Sequence, residues 1–179
     1  MTFVVKNNCP YTVWPGTLTA AGRPTISSTG FTLATGASSS LSVPATWSGR
    51  LWARTQCSTD SSGKFVCATA DCASGVIECN GAGAIPPASL AEFTLRGDGG
   101  QDYYDISLVD GFNIPILVTP QGRSTGCRST SCAPDVNAVC DPSLAVRRPD
   151  GTVIACKSAN LAFNQPQFCC SGEYNTPDI

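Results

Sequence analysis

The residues most open to chemistry in this chain are its cysteines. The run GKFVCATADCASGVIEC, at 63–79, sets Cys67, Cys72 and Cys79 around a single aspartate, Asp71. Thiolates at such spacing either hold a metal ion or oxidise into bridges that staple a loop. Four residues separate Cys67 from Cys72 and six separate Cys72 from Cys79, so the run lacks the paired C-x-x-C knuckles of a zinc site. The chain has 11 cysteines and no histidine. The commonest zinc ligand and the commonest general base are therefore both missing. A Ser-His-Asp or Cys-His mechanism is excluded, and the cysteine usage favours bridges made in an oxidising compartment over metal. No metal and no cofactor are expected. Carboxylates are the acid–base groups that remain. Glycoside hydrolysis needs only two of them, an acid to protonate the leaving oxygen and a base or nucleophile on the opposite side.

Such groups have to be held by a scaffold, and 179 residues are enough for one with a real apolar core. From residue 2 to about 120 the chain reads as short β-branched and aromatic runs: TFVVK, YTVWP, FTLAT, SSLSV, RLWART, LAEFTL, YDISLV and IPILVTP. Glycine, proline, serine and asparagine punctuate them, and several alternate apolar with polar residues as half-buried strands do. No stretch carries a helical period over three turns. An all-β sandwich or flattened barrel is the fold this pattern predicts.

Past Gln121 the character changes. Cys127, Cys132, Cys140, Cys156, Cys169 and Cys170 lie among proline, aspartate, serine and asparagine, and APDVNAVC and KSANLAF have room for one or two helical turns at most. The expected organisation is a β-sandwich over 1–122 and a disulfide-rich loop lobe over 123–179.

Several functions are disfavoured. Net charge is −2 and, apart from Arg147-Arg148, the arginines are scattered, so no nucleic-acid partner is expected. No apolar run approaches the roughly 20 residues of a membrane span. Met1 leads directly into TFVVK without the charged and apolar regions of a leader, which reads as a mature, soluble chain. There is no N-x-S/T sequon.

Gly63, Phe65, Cys67, Thr69, Ala70, Asp71, Cys72, Gly75 and Cys79 together resemble the signature of thaumatin-like proteins. NNCPYTVWPGTL at 7–18, SGRLWARTQCSTD at 48–60, ASLAEFTL at 88–95, QDYYDISLVDGFNIPI at 101–116 and FCC at 168–170 are similar to that family in the same order. The resemblance implies a flattened β-sandwich, a disulfide-rich lobe and an acidic cleft between them. It also implies a secreted, pathogenesis-related plant defence protein, apoplastic or vacuolar, expected to be a monomer. Antifungal activity, binding of β-1,3-glucan or another fungal cell-wall polysaccharide, and allergenicity belong to the family. The alternatives are a weak endo-β-1,3-glucanase or an inhibitor of another secreted enzyme.

By motif position the resemblance pairs Cys57 with Cys67, Cys72 with Cys79 and Cys140 with Cys156. It lines the cleft with Glu92, Asp105 and Asp110 and with Arg50, Arg54 standing in reserve on the same strand face. If the cleft is hydrolytic, Glu92 is the acid and Asp105 or Asp110 the base or nucleophile. Tyr103, Tyr104 and Phe112 flank these aspartates as aromatic faces for a sugar ring. Asp71, Asp98 and Asp102 are expected in turns. The family pattern would pair Cys9, Cys127, Cys132 and Cys170 with cysteines beyond Ile179, and Cys169 with the position of Asn160. This leads to the expectation of a truncated chain lacking the last strands.

Overall fold

The structure, a computed structural model, describes residues 1–122 and 126–176; positions 123–125 and 177–179 of the expected lobe lie outside the described residues. Eleven strands are described, and the longest of them organises the rest. This is β4 (Ser48–Thr59), preceded by β1 (Thr2–Lys6), β2 (Val13–Thr19) and β3 (Ser38–Ser42) and followed by β5 (Phe65–Thr69), β6 (Leu90–Thr94) and β7 (Tyr103–Ser107). Strand β2 pairs antiparallel along β4 from Thr19↔Gly49 to Val13↔Thr55. On its other edge the first half of β4 pairs with β6 and the second half with β5, while β7 adds to β6. A second, two-stranded sheet of β1 and β3 lies apart from this five-stranded one.

Alternation along the strands gives the large sheet two different faces. Leu51 and Phe93 point inward and meet Phe3, Val5 and Leu41 of the small sheet in a core that also holds Ile26, Val43, fully buried Trp47 and Leu95. Val13, Leu33, Ala53 and Ile114 extend that core. The expected sandwich is therefore present. The opposite, outer face carries Arg50, Trp52 and Arg54 from β4 and Leu90 and Glu92 from β6. Residues 70–88 fold over half of it, so that Trp52 and Leu90 are enclosed with Ala70, Cys72, Cys79 and Ala88. Trp52 Nε1 donates to the Ala70 carbonyl at 3.0 Å, tying sheet to loop.

Three disulfides join Cys57 to Cys67, Cys72 to Cys79 and Cys140 to Cys156. The first links directly opposed residues of β4 and β5. The second closes the covering loop, where Asp71 Oδ1 accepts from the Cys72 amide at 2.8 Å, a turn role for that aspartate. Cys9, Cys127, Cys132, Cys169 and Cys170 are unpaired.

After β7 the chain forms two short hairpins, β8 (Ile116–Val118) with β9 (Thr130–Cys132) and β10 (Ala145–Arg147) with β11 (Val153–Cys156). The single α-helix among the described residues is one turn, α1 (Ala159–Phe163), capped by the Ser158 side chain and ended by left-handed Asn164. Both apolar runs singled out as short helical turns behave so, since Val136–Val139 is a 3-10 turn capped by Asp135. Among the described residues no helix is long and apolar enough to cross a membrane.

Candidate functional site

Beyond the edge of the covering loop, the outer face of the sheet stays open. In register, Arg50 of β4 stands opposite Glu92 of β6, and Glu92 stands opposite Asp105 of β7. Directly opposed residues share a face with Cβ atoms about 5 Å apart, so three strands deliver one guanidinium and two carboxylates in a row. Leu18 of β2, paired with Arg50, ends the row on the other side. These residues line an open depression of about 310 Å3 together with Gly49 and Tyr103. A Cβ on Gly49 would collide with the Leu18 carbonyl and the Trp47 ring, so glycine is required where β2 and β4 approach there.

Asp110 reaches the same guanidinium from another direction. It sits in the turn after β7, where its carbonyl accepts from the Ala88 amide at 2.8 Å. Gly111 follows with φ +84°, and a side chain there would strike the Cys156 carbonyl and Pro87. Phe112 and Cys156 then exchange both backbone hydrogen bonds at 2.8 Å, which clamps the bridged β10–β11 hairpin beside Asp110. Arg50 thus lies between two carboxylates, with Nε 3.9 Å from Glu92 Oε1 and Nη1 3.9 Å from Asp110 Oδ2. All three side chains are between 33% and 41% exposed, so water and ligand hydroxyls can reach them. Ion pairs this long and this wet contribute little to stability.

Four of the cleft residues expected from sequence therefore converge: Arg50, Glu92, Asp105 and Asp110. Arg54 does not join them. It does share the strand face of Arg50, but the covering loop buries it completely. Its guanidinium donates to the carbonyls of Trp14, Pro15 and Ile77 and to the Cys72 sulfur, and it lies 5.4 Å from the centroid of Phe65. Burial lowers its pKa, an effect opposed by the charges of Asp71 and Glu78. Arg54 is the polar pin of the covering loop.

Two of the expected aromatic faces are also elsewhere. Phe112 is only 2% exposed and belongs to the core. Tyr104 points to the inner side of β7, stacked on Phe93 with centroids 6.5 Å apart, and its hydroxyl donates to the Arg128 carbonyl. Tyr103 alone of the three lines the depression. Period-2 alternation carries that distinction in the sequence, since Tyr103 is two residues from Asp105 and Tyr104 is adjacent to it. Leu18 and Gly49 carry no chemical signal in the sequence, and only strand pairing brings them to the site.

An open β-sandwich, a carboxylate-and-arginine row on one sheet face and a disulfide-clamped hairpin beside it define the structural class. The description of the thaumatin family matches residues 7–179. "Thaumatin-like protein 1" of Pyrus pyrifolia is 63% identical over 176 residues, which are 98% of this chain and 72% of that protein. "Glucan endo-1,3-beta-glucosidase" of Prunus avium is 60% identical over 177 residues, 99% of this chain and 72% of that protein. Among solved structures, the thaumatin-like xylanase inhibitor TLXI superposes with a TM-score of 0.51 at 30% identity, covering 73% of this chain and 91% of the inhibitor. The chain belongs to the thaumatin family.

Proposed function

We propose that this protein is a secreted defence protein that binds β-1,3-glucan, a fungal cell-wall polysaccharide, through the face carrying Arg50, Glu92, Asp105 and Asp110. The observation that carries the reading is the half-exposed Arg50–Glu92–Asp105 row in its open depression. Carboxylates accept from sugar hydroxyls, and a guanidinium donates to ring and hydroxyl oxygens in return. A row of such groups along neighbouring strands suits an extended polymer better than a single small molecule. Three disulfides agree with an extracellular working place.

The name of the Prunus avium relative favours a second reading, endo-β-1,3-glucan hydrolysis by Glu92 with Asp105 or Asp110. A glycosidase acid is ordinarily a carboxyl kept protonated by an apolar pocket or a neighbouring negative charge. Glu92 has Asp105 opposite it in register, but no apolar pocket encloses it: it is 38% exposed in an open depression with the Arg50 guanidinium at 3.9 Å, a setting that suits an acceptor of sugar hydrogen bonds. Binding is therefore placed ahead of turnover.

One experiment tests both readings. Laminarin titration by calorimetry should show saturable binding to the wild type, weakened about tenfold in Asp105→Asn through loss of a charge-assisted hydrogen bond. Reducing-end release measured on the same samples should stay near background and vanish in Glu92→Gln. Undiminished affinity in Asp105→Asn and Glu92→Gln would remove the site from this face. Robust turnover abolished by Glu92→Gln would make hydrolysis the principal activity.

A further inference from the structure

Resting on the sugar-binding reading above, we infer that Tyr103 is a fixed stacking platform for a pyranose ring at the β7 end of the carboxylate row. Tyr103 is 48% exposed and lines the depression. An exposed tyrosine ordinarily samples several rotamers, whereas this one is held at two places. Its hydroxyl donates to the Asp98 carbonyl at 3.2 Å. One side of its ring lies against Gly97, where a Cβ would come within 3.1 Å of Cδ2 and 3.2 Å of Cε2. The same Cβ would meet Thr94 Cγ2 at 3.0 Å, so Gly97 leaves space for the ring between the strand and the turn.

That turn is itself closed by backbone. The Gly97 amide donates to the Gln101 carbonyl at 2.7 Å and the Gly100 amide to the Gly97 carbonyl at 3.0 Å. Asp102 Oδ1 accepts from the Arg96 amide at 2.9 Å, and Gly99 supplies the left-handed conformation the turn needs, with φ +62°. Asp102 thus builds the turn through its side chain and Asp98 through its carbonyl, and what the turn builds is a seat for Tyr103. A large aromatic surface left half uncovered loses apolar burial, and ordering it costs side-chain entropy. A ligand that covers the exposed ring recovers that burial without a further ordering cost.

The chemistry of the ligand follows. A β-linked glucopyranose carries its hydroxyls equatorially around its rim and presents axial C–H bonds on both faces. Either C–H face packs on a π face while the rim reaches polar groups beside it. Asp105, two residues along the same strand and on the same face, is placed to accept from that rim. Tyr103 thereby sets the plane of the sugar ring against the protein, and Asp105 its rotation within that plane.

Laminarihexaose is the probe, observed by proton NMR and calorimetry on the whole chain. Ring-current shielding should move sugar ring protons upfield in the wild type and in Tyr103→Phe. Tyr103→Leu should abolish the upfield shift and weaken binding about tenfold, the size of one aromatic contact plus its area. Gly97→Ala keeps the aromatic ring but displaces it, and should reduce the upfield shift while the protein stays folded by circular dichroism. Unshifted sugar protons, or Tyr103→Leu binding as well as wild type while Asp105→Asn is weakened, would overturn the platform and leave the glucan reading standing. Absence of any laminarihexaose binding to the wild type would overturn that reading and the platform with it.

Discussion

Arg54 offers the sharpest test of how the outer sheet face is divided. Replacing it by methionine keeps an unbranched apolar stem and deletes the guanidinium. The Trp14 carbonyl loses a donor at 3.1 Å, the Pro15 carbonyl one at 3.4 Å, and the Ile77 carbonyl loses its close contact with Nη2. Hydrogen bonds to a charged donor contribute about 1.5 to 3 kcal/mol each. Relief from burying the guanidinium offsets part of the loss, which leaves about 3 kcal/mol of net destabilisation. In a chain of this length that is a fall in Tm of about 6 to 12 °C, measured by thermal circular dichroism. Arg50→Met is the matched control, four residues away on the same face but half-exposed and paired only at 3.9 Å. Its cost should stay within about 0.5 kcal/mol. Amide exchange should accelerate across residues 70–88 in Arg54→Met alone, since Arg54 holds that loop down. Equal stability losses for the two variants, or an unchanged Tm for Arg54→Met, would refute this division of labour.

Two further outcomes follow from buried and half-buried polar groups. Asn113→Ala removes a side chain that accepts from the Ser89 amide and donates to the Ala53 carbonyl and Thr69 Oγ1, all within 3.1 Å, and should cost about 3 kcal/mol in urea denaturation, with loss of exchange protection at the Ser89 amide. The Tyr11 phenol is pushed up to about 12 by burial first, with the neighbouring Cys9 and Asp135 adding to it. The folded state therefore keeps a proton that the unfolded chain gives up near pH 10, so stability should fall as pH rises from about 10 to about 12. Ultraviolet titration of the tyrosinates in the wild type and in Tyr11→Phe would identify the late-titrating group, and its absence from the difference would refute the assignment.

The strands of the sandwich were legible wherever apolar and polar residues alternate. TFVVK, SSLSV and LAEFTL coincide with β1, β3 and β6 to within a residue or so. FTLAT does not form a regular strand: Leu33 makes an isolated bridge to Val13, and Phe31 and Thr29 meet β2 through single hydrogen bonds. β5 has only a weak strand pattern of its own, since it lies inside the cysteine-rich run and a bridge to β4 supports it. The three-residue strands of the loop-rich segment are too short to show a period at all. At the site, motif position supplied Arg50, Glu92, Asp105 and Asp110. It also supplied Arg54, because the same-face rule is indifferent to what covers the face. Only the packing of 70–88 against Trp52 separates an open arginine from an enclosed one.

The two halves of the site are held by different physics. Glu92 and Asp105 are positioned by sheet register, and a register error of one residue would turn every side chain of a strand to the other face. With Phe93 locked into the inner core, such a slip would bury Glu92 and expose an aromatic ring, so the geometry of the row is as secure as the core beneath it. Asp110 has no such guarantee. Its place depends on one amide of Ala88, on the absence of a side chain at Gly111 and on the hairpin that the Cys140–Cys156 bridge closes. Arg50 spans both halves, so its two ion pairs tie the strand row to the turn that carries Asp110. A ligand lying along the row alone would meet only the half held by register. A polymer long enough to cover Asp110 as well would depend on both, so Gly111→Ala should weaken a long glucan more than a short one that stays on the row.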